Sequence, residues 1–118
     1  MPQNVTTRTV EPDILVVELS GRVTFGRETS QIEEMVVKAI NDGVRKVMLD
    51  MSHVTYIDSA GIGIIALCFG KMTKLGGRFC VAGTAGTVRE VFHMTHLDSV
   101  IPFADTADLA CAGMLEAV

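Results

Sequence analysis

The chain has no tryptophan, a single tyrosine and only five phenylalanines in 118 residues. Platforms for single-stranded nucleic acid are built by stacking bases on aromatic rings, so this composition argues against one. Positive charge is also in short supply. Ten Lys and Arg stand against fourteen Asp and Glu, for a formal net charge of −4. Nucleic-acid binding rests on neutralising phosphates with cations, and this balance argues against it too. No apolar run is long enough to span a bilayer, since the stretch from Gly61 to Gly70 meets Lys71 at once. The opening Met-Pro-Gln-Asn lacks the basic-then-apolar pattern of a signal peptide, so a cytoplasmic protein is expected. Cysteine is scarce and odd in number: Cys68, Cys80 and Cys111 lie far apart among apolar neighbours. They read as buried thiols in a reducing compartment, not as a disulfide framework or a metal site.

What is present describes a globular domain. Hydrophobic residues make up 48% of the chain and charged residues 20%, outside the disordered range. The length fits one domain, residues 1–118, able to bury roughly two-thirds of its unfolded surface without staples. No internal repeat, linker or low-complexity segment is visible. Val5–Val10 alternates weakly, as an edge strand would. After the turn signal Glu11-Pro12-Asp13, Ile14–Leu19 is a nearly continuous apolar run of strand length, ended by Ser20-Gly21. Ile32, Met35, Val36, Ala39 and Ile40 recur at helical spacing before the stop Asn41-Asp42-Gly43. Lys46–Met51 reads as a buried strand and Ala60–Leu75 as a helix closed by Gly76-Gly77. Arg78–Ala82 is a further short strand. Val88, Val91 and Phe92 mark a third helix, Val100-Ile101 a last short strand and Ala107–Leu115 an Ala-rich helix. Alternating strands and helices predict an α/β domain: a mixed, mostly parallel sheet of four to five strands with about four helices. The short turn between the first two strands makes that pair antiparallel.

One segment carries chemistry. Past Asp50 a loop leads to Asp58-Ser59-Ala60-Gly61, which opens a helix. The first N–H groups of a helix lack internal partners and carry a positive partial charge, so a negative group on Ser59 would sit where those donors point. Gly61 and Gly63 are expected to leave the surface uncrowded for an approaching protein. The plainer reading makes Ser59 or Asp58 an N-cap. A capping box would want Glu or Gln three residues on, whereas Ser59 is followed by Ile62. The two readings are compatible, because an exposed cap hydroxyl can still accept a phosphate.

Ile57-Asp58-Ser59-Ala60-Gly61-Ile62-Gly63 resembles the phosphorylation-site signature of the STAS-domain anti-sigma factor antagonists. The resemblance covers nearly the whole chain. It extends to Leu19–Val23, to Val47–Met51, to Leu75–Phe79, and to Val88–Phe92 with Leu97. It implies a STAS fold and a partner-switching role without enzyme activity. The unmodified protein would bind an anti-sigma factor that is also a serine kinase. Phosphorylation of Ser59 from ATP would release it, and a serine phosphatase would restore binding. Asp58, Ala60, Gly61, Ile62, Thr24 and Phe25 would contact the partner, with Asp50 and Gly63 supporting the site. The resemblance implies no cofactor and a monomer or weak dimer. Two departures stand out: Thr24 where the family often has Asp, and His96 where it tends to have Gly before Leu97.

Rival constellations are weaker. Gly61-Ile62-Gly63 with Ala66 formally matches a dinucleotide fingerprint, but the next strand ends Val81-Ala82-Gly83 with no acid for a ribose. Gly83–Thr87 could offer amides to an anion, yet no Gly-Lys-Ser/Thr follows. A serine hydrolase wants Gly two residues before its nucleophile, where Ile57 stands. His93 and His96 with Cys80 lack a fourth metal ligand at suitable spacing. A STAS module serving another assembly, such as lipid transport, and a small nucleotide-binding protein remain as alternatives.

Overall fold

The computed structural model describes residues 5–116. Nine principal elements follow one another: β1 (Val5–Val10), β2 (Ile14–Val23), α1 (Arg27–Asn41), β3 (Lys46–Ile57), α2 (Ser59–Lys74), β4 (Arg78–Ala82), α3 (Gly86–Met94), β5 (Phe103–Ala104) and α4 (Ala107–Glu116). A single 3₁₀ turn, Leu97–Ser99, follows α3. The five strands form one sheet in the order β1-β2-β3-β4-β5. β1 pairs antiparallel with β2, and every other pair is parallel. The expected α/β class, mixed sheet and first antiparallel pair are all present.

This strand order decides where the helices go. Parallel strands joined by right-handed crossovers, taken in one direction, must put every crossover helix on the same face. One core cluster accordingly joins Val17, Leu49 and Val81 of the sheet to Ile32 and Val36 of α1, Ile65 and Met72 of α2, and Phe92 of α3. α4 follows the last strand and is free of that constraint. It covers the opposite face, where Ala110, Cys111 and Met114 pack on Val16, Met48 and Cys80. Val47, Leu49 and Met51 point to the first face and Met48 to the second, the period-two pattern of a strand buried on both sides.

Three boundaries differ from those read in the sequence. β2 does not stop at Ser20-Gly21, and β3 runs on from Met51 to Ile57. Past Asp50 the two continue together as a ribbon with register shifts between Glu18 and Ser20 and between Gly21 and Arg22. Gly21 enters that irregular stretch with φ of 72°, a conformation that costs glycine little. The last strand is Phe103–Ala104 and not Val100-Ile101. The Val100 and Ile101 amides both donate to the Leu97 carbonyl, at 3.0 and 2.8 Å. Their hydrogen bonds are spent in a turn, and Pro102 has no N–H to offer a ladder.

Candidate functional site

The β2–β3 ribbon carries two chain segments to one place. Val23 ends β2 opposite Ile57, which ends β3. Thr24-Phe25-Gly26 leaves the first strand for α1, and Asp58 leaves the second for α2. The Asp58 N–H donates to the Val23 carbonyl at 3.2 Å. Its carboxylate then bridges both loops. Oδ1 accepts from the Gly61 N–H at 2.8 Å, and Oδ2 accepts from the Phe25 N–H at 3.0 Å. Asp58 is therefore the N-cap of α2, and it also fixes the Phe25 loop beside that helix start. These two amide donors, Gly61's first, hold the Asp58 carboxyl below its ordinary value.

The division of labour at Asp58-Ser59 follows. With Asp58 as cap, Ser59 is the first helical residue. It is exposed, and among the described hydrogen bonds its hydroxyl makes none. Ala60 is partly exposed and Gly63 exposed beside it. Gly61 and Ile62 are buried. A Cβ on Gly61 would come within 2.7 Å of both the Val23 carbonyl oxygen and Ile57 Cγ1. Gly61 thus lets α2 lie close against β2 and does not open the outer surface, as the sequence had suggested. Gly63 has nothing within 4 Å of such a Cβ, and that surface is uncrowded. Thr24 is partly exposed, whereas Phe25 is 84% exposed. The usual tendency to bury a phenylalanine makes such a ring at the rim of a loop stand out.

Asp50 lies away from this cluster. It pairs with Glu18 and Ala82 inside the sheet, and residues 51–57 of β3 separate it from Asp58. Its carboxylate accepts from the Ser52 N–H at 3.0 Å and from the Ser52 hydroxyl. Gly83 touches that same Ser52 so closely that any Cβ there would collide with its hydroxyl. Asp50 orders the ends of the β3–β4 pair, and its connection to Ser59 runs only through the strand.

Two residues that the sequence reading missed flank the site. Arg22 and Tyr56 pair across the ribbon one position before Val23 and Ile57. The Arg22 guanidinium lies 4.3 Å from the centre of the Tyr56 ring, and both residues are exposed. The signal was available: Val54-Thr55-Tyr56 are strand formers just before the Asp58 cap. Of the rival constellations, the metal site is the one the geometry addresses. No group of three His, Cys, Asp or Glu among the described residues is placed to hold a metal. His93 Nδ1 instead meets Asp98 Oδ2 at 2.8 Å on the surface. Burial pushes the Cys68 thiol up to about 12 and the Cys80 thiol to about 11, so neither is a thiolate at neutral pH. No helix among the described residues is long and apolar enough to cross a membrane.

Comparison with known proteins agrees with this geometry. BtrV of Bordetella bronchiseptica, provisionally named an anti-sigma factor antagonist, is 28% identical over 105 residues, 89% of this chain and 90% of its own. The crystal structure of an anti-sigma factor antagonist from Mycobacterium paratuberculosis superimposes with a TM-score of 0.80 at 26% identity over 98% of both chains. The Bacillus cell fate determinant SpoIIAA in its phosphorylated form shares the fold, with a TM-score of 0.75 at 20% identity over 92% of this chain and 96% of its own. The STAS domain model matches residues 6–110, and this chain belongs to the STAS domain family.

Proposed function

We propose that the chain is an anti-sigma factor antagonist that works by binding, without turnover, in the cytoplasm. In its unmodified form it binds an anti-sigma factor that is also a serine kinase, and phosphorylation of Ser59 ends that complex. A serine phosphatase returns it to the binding form. The observation that carries the reading is the exposed Ser59 hydroxyl at the first turn of α2, left without a capping duty because Asp58 performs it. The names of the relatives support the same role.

The exposed members of the cluster, Phe25, Thr24, Ser59, Ala60 and Gly63, form the partner surface. Gly61 and Ile62 hold that surface from below, as their burial requires. Phe25 is the anchor: a rigid aromatic ring already in water gains most from entering a partner's pocket. A phosphate brings about −1.5 to −2 charges. It would stand beside an Asp58 carboxylate that two amides already keep ionised. The Gly61 amide is taken by Asp58 and the Ile62 amide by the Asp58 carbonyl. The helix dipole favours a negative group at this first turn, so the domain stays folded while the surface gains negative charge.

The test is Ser59→Ala. It should fold, bind the anti-sigma kinase and remain bound when ATP is added, while the unaltered protein is released and gains one phosphate by mass spectrometry. Release of the alanine variant by ATP would remove Ser59 from the switch.

A further inference from the structure

We propose that the groove between α2 and α4 at the start of β4 binds a small single-chain carboxylate, of the medium-length fatty-acid kind, with its head group on Arg78 and its chain on the apolar walls. The proposal stands apart from the Ser59 switch. The groove lies toward the other end of α2, where Phe69 and Thr73 line it.

The strand lengths create the groove. β4 runs from Arg78 to Ala82, but β5 pairs only with Val81 and Ala82. Beside the first half of β4, α2 comes from one face of the sheet and α4 from the other, and they form two walls. Phe69 and Thr73 belong to the first wall, Leu109 and Met114 to the second. Phe79 and Cys80 lie behind them, at 2% and 7% exposure. The site is thus built from side chains and asks nothing of the strand's backbone. Its volume is about 530 Å³, within the roughly 300–1,000 Å³ of small-molecule clefts.

Charge marks one end of it. Gly77 and Arg78 stand at that end, and Phe103 and Ala104, beside Val81 and Ala82, at the other. Among the described lining residues Arg78 is the only charged one. Its guanidinium has no partner among the described ion pairs. The donors around it are already engaged. The Gly77 amide donates to Met72 O at 3.0 Å and the Arg78 amide to Arg45 O at 2.7 Å. The Thr73 hydroxyl donates to Phe69 O at 2.9 Å and is shared with Gly70 O at 3.2 Å. The Arg78 fork is what remains, and a guanidinium matches a carboxylate through two parallel N–H···O bonds.

Size and chemistry choose the occupant. Phe69 and Thr73 are one helical turn apart, as are Leu109 and Gly113, so each wall offers about 6 Å of rise. A partner helix seated in a groove uses anchors spread over two turns, more than these walls give. In a two-fold pairing of grooves both copies would bring Arg78 and neither an acid. An alkyl chain ended by a carboxylate needs one cation and a short apolar wall, and this groove supplies both. Val100 and Leu109 on its rim, each 59% exposed, gain cover from the chain. Each methylene fully buried there tightens binding about fourfold.

The experiment uses the full chain, followed by calorimetry and amide NMR. The probes are hexanoate, octanoate and decanoate below their micelle-forming concentrations, with octanol as the uncharged counterpart. Octanoate should saturate a single site, shift the Arg78, Leu109 and Gly113 amides, and bind at least threefold more tightly than hexanoate. Arg78→Gln should weaken octanoate at least tenfold, the size of a charge-assisted hydrogen bond, and leave octanol within twofold. Gly113 lines the groove, and a Cβ there meets nothing within 4 Å. Gly113→Leu should therefore fold and narrow the groove, weakening octanoate and octanol alike, with Leu109→Gln as a second variant if it is unstable. Three results would each overturn the proposal: no saturable shifts with octanoate or decanoate at millimolar concentration, equal losses of octanoate and octanol in Arg78→Gln, or groove shifts that grow with protein concentration alone, which would mean a second copy covers the groove.

Discussion

At the N-terminal end of α2 the surrounding backbone is tightly engaged, while beside its C-terminal end lies an apolar groove of about 530 Å³. Asp58 satisfies Gly61 and Phe25, Val23 O takes the Asp58 amide, and Gly61 lies flush against β2. The result is a rigid seat with one unengaged hydroxyl on it. At the other end the walls of the groove come from four elements, α2, β4, β5 and α4, with a buried Phe79 among them. The difference teaches how one fold can keep a proposed modification site apart from an apolar surface. A modification site gains from a fixed backbone that keeps its shape when charge arrives. A groove is shaped by side chains.

The seat itself offers the largest effect. Gly61→Ala forces a Cβ against the Val23 carbonyl, a backbone atom that cannot swing away. A loss of roughly 1–3 kcal/mol is expected, the usual range for overpacking, read as a lower denaturation midpoint. Gly63→Ala, two residues on in the same helix and with open space around it, should instead gain roughly 0.5–1 kcal/mol from helix propensity. Equal behaviour of the two variants would dissolve the idea of a tightly packed seat.

Next comes charge without phosphate. Ser59→Asp should keep the fold, since an acid in the first turn suits the helix dipole. It should weaken the kinase complex at least tenfold, about 1.4 kcal/mol, because the new charge lies beside the ionised Asp58. Asp carries about half a phosphate's charge, so the effect should fall short of full release. Dissociation constants and melting temperatures measured side by side test it. Unchanged affinity in a folded protein would put the helix start outside the interface.

Asp58→Asn should give a smaller change, with a signature in pH. The folded protein holds the Asp58 carboxyl below its usual value, so the carboxylate contributes stability above the unfolded-state value of about 4. That contribution fades as pH falls through the depressed folded value. The difference in melting temperature between wild type and Asp58→Asn should therefore be widest near neutrality and shrink toward pH 2–3. A difference that does not change with pH would mean the cap works without its charge.

Much of this was legible in the sequence, and the gaps have physical causes. The buried strands Ile14–Leu19 and Lys46–Met51 and the helix over 60–75 stand out because full burial demands continuous or periodic apolar residues. The ribbon beyond them does not, since Ser20–Val23 and Ser52–Ile57 pair only with each other and show water their polar side chains. Ser59 was singled out through its motif. The motif left open whether Asp58 or Ser59 is the cap, because both residue types cap helices equally well; the φ of −103° and the Gly61 bond assign it to Asp58. The bridge from Asp58 to Phe25 spans thirty-three residues of chain and leaves no local trace. The misplaced last strand had a signal in Pro102, which bars Val100-Ile101 from the ladder only once the neighbouring strand is known.

The smallest effect bears on the turn that follows α3. His96 closes α3 in the left-handed region, with φ of 61° and ψ of 15°. A non-glycine residue there costs of order 1 kcal/mol at the low end of the range. Glycine would relieve that, at the expense of a looser unfolded chain. The net gain for His96→Gly should be about 0.5 kcal/mol, or a melting temperature higher by about 2 °C for a domain of this size. The His96 carbonyl bonds to the Ser99 amide and hydroxyl do not depend on the side chain, so the turn survives the change. That turn begins with Leu97, whose carbonyl accepts from the Val100 and Ile101 amides. A firmer turn should therefore protect the Val100 and Ile101 amides further against hydrogen exchange. Unchanged exchange at both amides in His96→Gly would mean that the left-handed residue does not limit the turn.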